Sequence, residues 1–172
     1  MVAKMSRGCR AYVIRELMFD DLDYIAANLR PADAKELEAA SGHRNYRDRL
    51  TMSVALSEEV RVVECDGAPI LVFGLAPISD AVAAIWACGT SGVSRFRRSF
   101  VEDSRAMLQT WFDARPKLVR LANFAHADNT VHHLWLKALG ATLHPEEPVG
   151  HRGAMFRPFT IERGALPCAI RA

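Results

Sequence analysis

Residues 81–98 read AVAAIWACGTSGVSRFRR, an apolar segment that passes through two glycines into a basic, amphipathic one. The apolar part, residues 81–88, predicts a buried strand. Residues 89–94 predict a turn, and a long helix is expected to begin near Ser94, its N-cap, and to end at Pro116. Large apolar side chains recur at helical spacing along it, which predicts a buried stripe formed by Phe96, Phe100, Met107, Leu108 and Trp111.

Upstream of this segment, the pattern predicts one strand, two or three short helices and then a hairpin. The strand covers residues 10–15, and the helices cover residues 18–29, 32–40 and 46–56. Apolar positions 60, 62 and 63 lead into Asp66-Gly67, a dipeptide typical of hairpin turns, and residues 70–75 continue the sheet. Together with residues 81–88 they form a three-stranded meander.

Downstream, strands and a helix alternate. Residues 118–124 predict a strand, and Asp128-Asn129 caps a helix over residues 130–139 that Gly140 ends. A weak strand over residues 141–144 and a last one over residues 155–161 complete the order. The chain therefore belongs to the α+β class. We expect a single domain over residues 1–163 and a C-terminal arm over residues 164–172.

Composition excludes several classes of function. Half of the 172 residues are apolar and the formal net charge is only +2, which argues against disorder and against a general grip on nucleic acid. No apolar run is long enough to span a membrane. The four cysteines lack a C-x-x-C spacing and combine with no histidine into a zinc pattern, so we expect free thiols and no metal.

The order of elements resembles the GNAT acyltransferase fold over nearly the whole chain. The residues that carry the resemblance are the glycine-containing loop before the long helix and Asn129, eleven residues before Gly140. It implies a three-layer α/β/α structure with a mixed, mostly antiparallel sheet of six or seven strands. In that family the loop amides at a helix N-terminus bind the coenzyme A diphosphate, which makes these the cofactor-binding residues if coenzyme A binds: Gly89, Ser91, Gly92, Ser94, Arg95 and Asn129.

Both glycines also have a simpler interpretation, an ordinary turn between a strand and a helix. The basic residues nearby leave a similar choice. Arg95, Arg97, Arg98 and Arg105 form one local basic edge, which either neutralises a phosphate or forms a solvated or partner-facing stripe.

The family's usual acid, a tyrosine seven residues after the asparagine, is absent here. Leu136 stands at that position and cannot donate a proton. Weak catalytic candidates are Cys88 and His126 as substitute acids, and Glu64 as a general base facing the acyl groove. Cys88 is equally explained as a small buried hydrophobe and His126 as a loop residue. We expect His132 to pack against strand 118–124 and His133 to face solvent.

A narrower resemblance rests on several short motifs. It is to the internal virion protein A family of short-tailed, autographivirus-like bacteriophages, and it covers residues 14–163. The motifs that carry it are Trp86, Ser91-Gly92, Arg95-Phe96-Arg97-Arg98, Asn129-Thr130, His132, Leu136-Lys137, Gly140-Ala141 and residues 156–161.

This resemblance implies a virion-associated or assembly protein with a GNAT-like, non-catalytic fold and no cofactor. Such a protein is made in the host bacterial cytoplasm and is oligomeric in the particle. It docks on virion proteins near the portal, tail or internal core, with no membrane and no specific nucleic acid as partner. The alternative is an acetyl-CoA-dependent N-acetyltransferase that acts on an amine by direct transfer.

Overall fold

The computed structural model describes residues 12–166, without the side chains of Arg97 and Arg98. Cys9, Cys168 and most of the expected C-terminal arm lie outside this range. Seven strands and five helices alternate in the order β1 (Tyr12–Arg15), α1 (Asp21–Ala27), α2 (Pro31–Ser41), α3 (Tyr46–Ala55), β2 (Glu59–Cys65), β3 (Ala68–Pro77), β4 (Val82–Gly89), α4 (Arg97–Ala114), β5 (Arg120–His126), α5 (Thr130–Ala138), β6 (Thr142–Leu143) and β7 (Phe156–Glu162). Short 3₁₀ turns at Ser91–Phe96 and His151–Gly153 precede α4 and β7.

The strands form one sheet in the order β1-β2-β3-β4-β5-β7-β6. Every pair is antiparallel except β4 and β5, which run parallel. This confirms the predicted α+β class and the mixed, mostly antiparallel sheet. The β2–β3 hairpin closes where predicted, because Asp66 and Gly67 both adopt positive φ angles of 54° and 78°.

Helices cover both faces of the sheet and give it three layers. On one face, Leu22 and Ile25 of α1 and Leu50 of α3 pack against Val62 and Val72. On the other face, α4 and α5 bury a larger cluster that includes Leu108, Trp111, Phe112, Leu136 and Phe159. Because successive side chains of a strand point to opposite faces, neighbours such as Val62 and Val63 belong to different clusters.

Two helix starts differ from the prediction. The first helix begins at Asp21, not near Met18, since Met18 and Phe19 are 60% and 87% exposed and contribute nothing to a buried stripe. The long helix begins at Arg97, after a 3₁₀ turn. Ser94 is therefore not its N-cap, and the Ser94 hydroxyl donates instead to the Ser91 carbonyl over 2.8 Å.

Among residues 12–166, no helix is long and apolar enough to cross a membrane. The same residues contain no cluster of His, Cys, Asp or Glu with the arrangement of a metal site. Cys65 and Cys88 are buried and form no disulfide with each other.

Candidate functional site

The sheet opens between β4 and β5. Their parallel pairing covers only three residue pairs and ends at Ala84 and Ala122. Just beyond that point, Asn123 Nδ2 donates to the Ile85 carbonyl over 2.8 Å. The two strands then separate, which leaves a gap in the middle of the sheet.

The backbone of Ala87 faces this gap. Alternate residues along this edge, from Ala81 just before β4 onward, point toward β5: the Ala81 and Ile85 carbonyls accept hydrogen bonds from residues of β5 and the loop before it. At Gly89, the N–H donates to the Asp33 carboxylate and the carbonyl accepts from the Arg30 N–H. Backbone groups alternate in direction along a strand, so Ala87 belongs to this set and its N–H and C=O point into the gap. Ala87 thus offers a fixed backbone donor there.

A cavity of about 380 Å³ passes through the gap and reaches both faces of the sheet. On the α2 face, the side chains that wall it include Glu36, Trp86, Phe124 and Phe156, and on the α4–α5 face they include Phe100, Met107, Trp111 and Trp135. No lysine or arginine lines it among the residues whose side chains are described. The cavity is therefore mostly apolar, with few polar groups, as small-molecule sites are.

Glu36 is a polar group of this cavity that other elements hold in place. Its Oε2 accepts from the His126 backbone N–H over 3.1 Å and from Asn129 Nδ2 over 3.0 Å. His132 Nδ1 lies 3.7 Å from the same oxygen. Glu36 Oε1 has no hydrogen-bond partner within the described part of the chain and is not sealed from solvent.

The pKa of Glu36 is lowered from its ordinary value of 4.5. Burial by itself raises the pKa, but the contacts with His132, Asn129 and the His126 amide outweigh it, because each favours the charged carboxylate. Glu36 is therefore an anion at neutral pH, with one oxygen fixed and the other open to the cavity.

The loop that was expected to hold a diphosphate uses several of its amides internally. Gly89 N–H donates to Asp33 Oδ2 over 2.8 Å, and Thr90 N–H donates to the Ile70 carbonyl over 2.8 Å. Gly92 N–H reaches the Thr90 hydroxyl over 3.2 Å. The amides available to an anion are thus confined to the remainder of the Ser91–Phe96 turn.

Of the four arginines expected to form one basic edge, the two whose side chains are described, Arg95 and Arg105, lie in different surroundings. Arg95 lies with Ser91 and Gly92 at a small polar depression that also contains Tyr24 and Asn28. Arg105 instead donates from Nε and Nη2 to the Ala138 carbonyl, over 3.0 and 2.5 Å, at the end of α5. The side chains of Arg97 and Arg98 are outside the described part of the chain. Tertiary packing therefore assigns Arg105 to a helix end, not to a phosphate.

The three catalytic candidates occupy different environments. Glu64 does not line the cavity as expected, because Arg15 Nε binds its Oε2 over 2.6 Å on the outer strands of the sheet. His126 is buried with its ring edge against Phe156, and its backbone rather than its ring touches Glu36. Of the three, Cys88 alone lines the cavity. Burial and the charges of Asp33 and Glu36 raise the pKa of this thiol, so it stays protonated.

One of the two α5 histidines differs from expectation. The His132 ring contacts Trp135 and Phe159 of β7, with centroids 5.6 and 6.4 Å away, and Phe159 pairs with Asn123 of the strand against which His132 was expected to pack. His133 does not face solvent with its ring, since its Nε2 is buried without a partner. Burial lowers the pKa of His133 below 6.5. Leu136 is fully buried and lines the cavity, where an acid would stand in the related fold.

Sequence reasoning missed Glu36 and Asp33. Both lie on α2, in the segment PADAKELEAAS, where acidic residues look like the solvated face of an ordinary helix. Their partners, Asn129 and Gly89, are more than fifty residues away. The only available signal was Asn129, whose role as the N-cap of α5 was predicted and whose Nδ2 turns out to anchor Glu36.

No protein-family model matches this sequence, and no curated protein matches it with significant similarity. Solved structures do. A GNAT-family acetyltransferase from Bacillus anthracis is 16% identical, with 95% of this chain and 99% of that chain covered and a TM-score of 0.64. Ribosomal-protein-alanine N-acetyltransferase from Brucella melitensis is 14% identical, covering 87% of this chain and 99% of that one, with a TM-score of 0.61.

A third structure is AAC(6')-Ib in complex with ribostamycin and coenzyme A, at 14% identity and a TM-score of 0.64, covering 90% of this chain and 94% of that one. This chain therefore has the GNAT acyltransferase fold. Identities this low show the fold alone.

The site fits the two ends of coenzyme A unequally. The gap between β4 and β5, with its apolar walls and the Ala87 backbone, fits a narrow thioester-bearing arm. The loop before α4 fits the diphosphate less well, because the Gly89 and Thr90 amides are already bonded. Ser91, Ser94 and Arg95 belong to the same turn, Ser91–Phe96, and are the residues that a phosphate there would contact.

Proposed function

We propose that this protein is an acyltransferase that moves an acyl group, acetyl in the simplest case, from a coenzyme A thioester to an amine. One observation carries the proposal: the cavity runs through the gap between β4 and β5, so that two molecules entering from opposite faces of the sheet meet beside the Ala87 backbone. Holding two reactants in this way accounts for much of the rate of such reactions. The neighbours of the same fold include acetyltransferases.

A bound thioester supplies the acyl carbon: its C–S bond breaks as the C–N bond to the amine forms, and a proton from the amine ends on the released thiol. The contributions of this chain are local. The Ala87 N–H is placed to donate to a carbonyl oxygen in the gap, where low polarity strengthens the hydrogen bond. The apolar walls exclude water, which would otherwise compete with the amine.

Proton movement has to proceed without a tyrosine at position 136. The protonated thiol of Cys88 lines the cavity and is the nearest substitute donor among the candidates named from the sequence. Glu36 lies on the α2 side, where the amine would approach, and His132 of α5 lies 3.7 Å from its Oε2. General acid catalysis contributes about 10²–10⁴-fold, so a weaker donor slows the reaction without abolishing it.

The test is isothermal titration of the full chain with acetyl-CoA, continued to millimolar ligand, together with release of free thiol in the presence of a panel of amines. We expect saturable heat and amine-dependent thiol release. Absence of both heat and thermal stabilisation would overturn the proposal.

A pair of variants localises the binding. Ser104 lines the cavity from α4, so Ser104→Phe should narrow it and weaken acetyl-CoA binding. Gln109 lies on the exposed side of the same helix and bonds Asp113, so Gln109→Phe should leave binding unchanged. Circular dichroism checks that both variants are folded. Equal binding by the two would place the ligand elsewhere.

The virion role stays a prediction. The solved structures of the same fold named above are not virion proteins. An oligomeric protein docked near the portal, tail or internal core of a particle is what the narrower resemblance predicts. Mass spectrometry of mature particles and assembly intermediates tests this role, and absence from all of them would end it.

A further inference from the structure

The charge lining the cavity is one-sided. Among the described residues its carboxylates are Glu36 on the α2 face and Asp103 on the α4 face, and no lysine or arginine lines it. The imidazole that lines it, His132, lies beside Glu36 Oε2, the oxygen that is already bonded. Asp103 accepts a hydrogen bond from the Tyr12 hydroxyl. Glu36 Oε1 is therefore the open anionic atom on the side where an acceptor would enter.

The Glu36 carboxylate is fixed in one orientation, as the carboxylate of a preformed cation site would be. Two donors fix Oε2 and His132 lies close to the same atom, so the carboxylate does not need to reorganise when a ligand arrives. A fixed, partly buried carboxylate with one open oxygen and no lysine or arginine beside it in the cavity attracts an ammonium group, because the surroundings are less polar than water. A rigid carboxylate of this kind selects for positive charge.

The walls around Glu36 are aromatic and apolar. Trp86 and Phe124 come from the two separated strands, Phe156 from β7 and Val149 from the loop before it. The Trp86 indole N–H is already bonded to the Ser57 hydroxyl over 2.8 Å, so it has no donor left for a ligand. Aromatic rings beside a carboxylate accommodate an ammonium group and a hydrophobic body together.

An anionic group has no counterpart here. Two basic side chains at α2 are paired outside the cavity, Arg30 with Asp33 at 2.8 Å and Lys35 with Asp128 at 2.7 Å, and neither lines it. A carboxylate or phosphate on the acceptor would be desolvated without compensation and would be repelled by Glu36. The cavity therefore discriminates against acceptors that carry one.

From these contacts we propose that the acceptor is a hydrophobic primary amine without a carboxylate or phosphate, and that Glu36 binds its ammonium group while Trp86, Phe124 and Phe156 surround its apolar body. The assignment of this molecule as an acceptor rests on the proposed acyl transfer. Its binding does not, and is measurable without a thioester.

The test uses three probes of nearly equal size: 2-phenylethylamine, L-phenylalanine, which adds a carboxylate, and 2-phenylethanol, which removes the charge. Titrated into the full chain, 2-phenylethylamine should bind at least about tenfold more tightly than either analogue, a difference of about 1.4 kcal/mol. Equal affinity for the amine and the amino acid would overturn the proposal, and this comparison needs no variant.

Glu36→Gln keeps the shape and removes the charge. It should weaken 2-phenylethylamine binding about tenfold and leave 2-phenylethanol binding unchanged. The matched control is Glu38→Gln, which removes the same charge from the same helix outside the cavity, where Glu38 bonds Tyr46. Unchanged amine affinity in folded Glu36→Gln would overturn the proposal.

The outcomes separate the two proposals. If acetyl-CoA binds and thiol is released, but Glu36→Gln and the carboxylate have no effect, only the acceptor inference falls. If the amine preference and its dependence on Glu36 hold, but acetyl-CoA does not bind, acyl transfer falls and the amine site stands.

Discussion

Asn123 Nδ2 lies 2.8 Å from the Ile85 carbonyl oxygen, at the point where strands β4 and β5 separate. This side-chain bond replaces the backbone ladder for one further step. The side-chain oxygen of Asn123, Oδ1, accepts a hydrogen bond from the Phe124 N–H over 2.8 Å. Asn123 therefore sets where the gap begins, and with it the inner limit of the cavity.

Replacing Asn123 by Ala should destabilise the protein. The Ile85 carbonyl and the Phe124 amide lose their partner, and each net hydrogen bond contributes about 1 kcal/mol, so we expect a loss of about 1–2 kcal/mol in the free energy of unfolding. Urea denaturation measures it. The control is Asn28→Ala, which removes an exposed bond to the Tyr24 carbonyl and should change stability by about 0.5 kcal/mol or less. Equal losses of unfolding free energy in the two variants would show that the Asn123 hydrogen bonds contribute no more than the exposed bond of Asn28.

Gly89 should tolerate alanine less well than Gly92. A Cβ at Gly89 would lie 2.9 Å from the Ile70 carbonyl oxygen and 2.8 Å from Leu71 Cδ1, and the backbone oxygen cannot move without breaking the sheet. We expect Gly89→Ala to cost about 1–3 kcal/mol, as overpacking does.

Gly92 provides the matched comparison. There the closest atom is Ile70 Cγ2 at 2.9 Å, a methyl group at the edge of a side chain. Thermal unfolding of both variants should rank Gly89→Ala as the less stable. The reverse ranking would contradict the prediction that the contact with the Ile70 backbone oxygen costs more than the contact with the Ile70 methyl group.

Variants of Arg105 and Arg95 should have different effects, one on the stability of the protein and the other on acetyl-CoA binding. Arg105 donates twice to the Ala138 carbonyl at the end of α5, so Arg105→Gln should lower the free energy of unfolding by about 1–2 kcal/mol and leave acetyl-CoA affinity unchanged. Arg95→Gln should weaken acetyl-CoA binding, because Arg95 lies beside Ser91 and Gly92.

Titration at two salt concentrations gives a further check on this pair. A contact between Arg95 and a phosphate is screened by salt, so the difference between wild type and Arg95→Gln should shrink at high ionic strength. If Arg105→Gln weakened binding as much as Arg95→Gln, the assignment of Arg105 to the helix end alone would be wrong.

His133 should make the protein sensitive to mild acid. Its pKa in the folded chain lies below its ordinary value of 6.5 because its ring is partly buried, so the unfolded chain binds a proton more readily. The stability that this residue contributes is present above pH 6.5 and is lost as the pH falls below it. His133→Gln should flatten the dependence of the unfolding free energy on pH in that range.

Glu36 serves as the internal comparison for this pH effect. Its pKa is also lowered, but from 4.5, so its contribution is complete above pH 4.5 and is lost only below it. Glu36→Gln should therefore change the curve below pH 4.5. Because the charge of Glu36 raises the pKa of His133, the same variant should lower that pKa further and should not remove the His133 effect. A single transition that both variants remove would contradict this separation.

The order of elements could be read from local patterns. The apolar residues at positions 60, 62 and 63, the Asp66-Gly67 turn and the helical spacing around Trp111 are local patterns, and the strand, turn and helix that they predict were confirmed. The start of the first helix was not, because Met18 satisfies the helical spacing and yet lies outside the packed surface. Spacing alone does not tell a buried stripe from its exposed extension.

The candidate site could be predicted from the sequence only in part. Cys88 and Asn129 were named from the sequence and lie at the cavity or beside Glu36. Glu64 was named and pairs with Arg15 instead. Glu36 was not named, since its partners come from β5 and α5, about ninety residues further along the chain.

Local sequence thus determines the strands, the hairpin turn and the caps of α5, because each depends on the conformational preferences of a few adjacent residues. The absence of a tyrosine at position 136 is likewise given by the sequence itself. The packing of distant elements determines the gap held by Asn123, the open oxygen of Glu36 and the assignment of Arg105 to a helix end. The physical reason is that the charge state and accessibility of a side chain depend on which groups surround it in space. For Glu36 those groups are brought together only when α2 lies against β5 and α5.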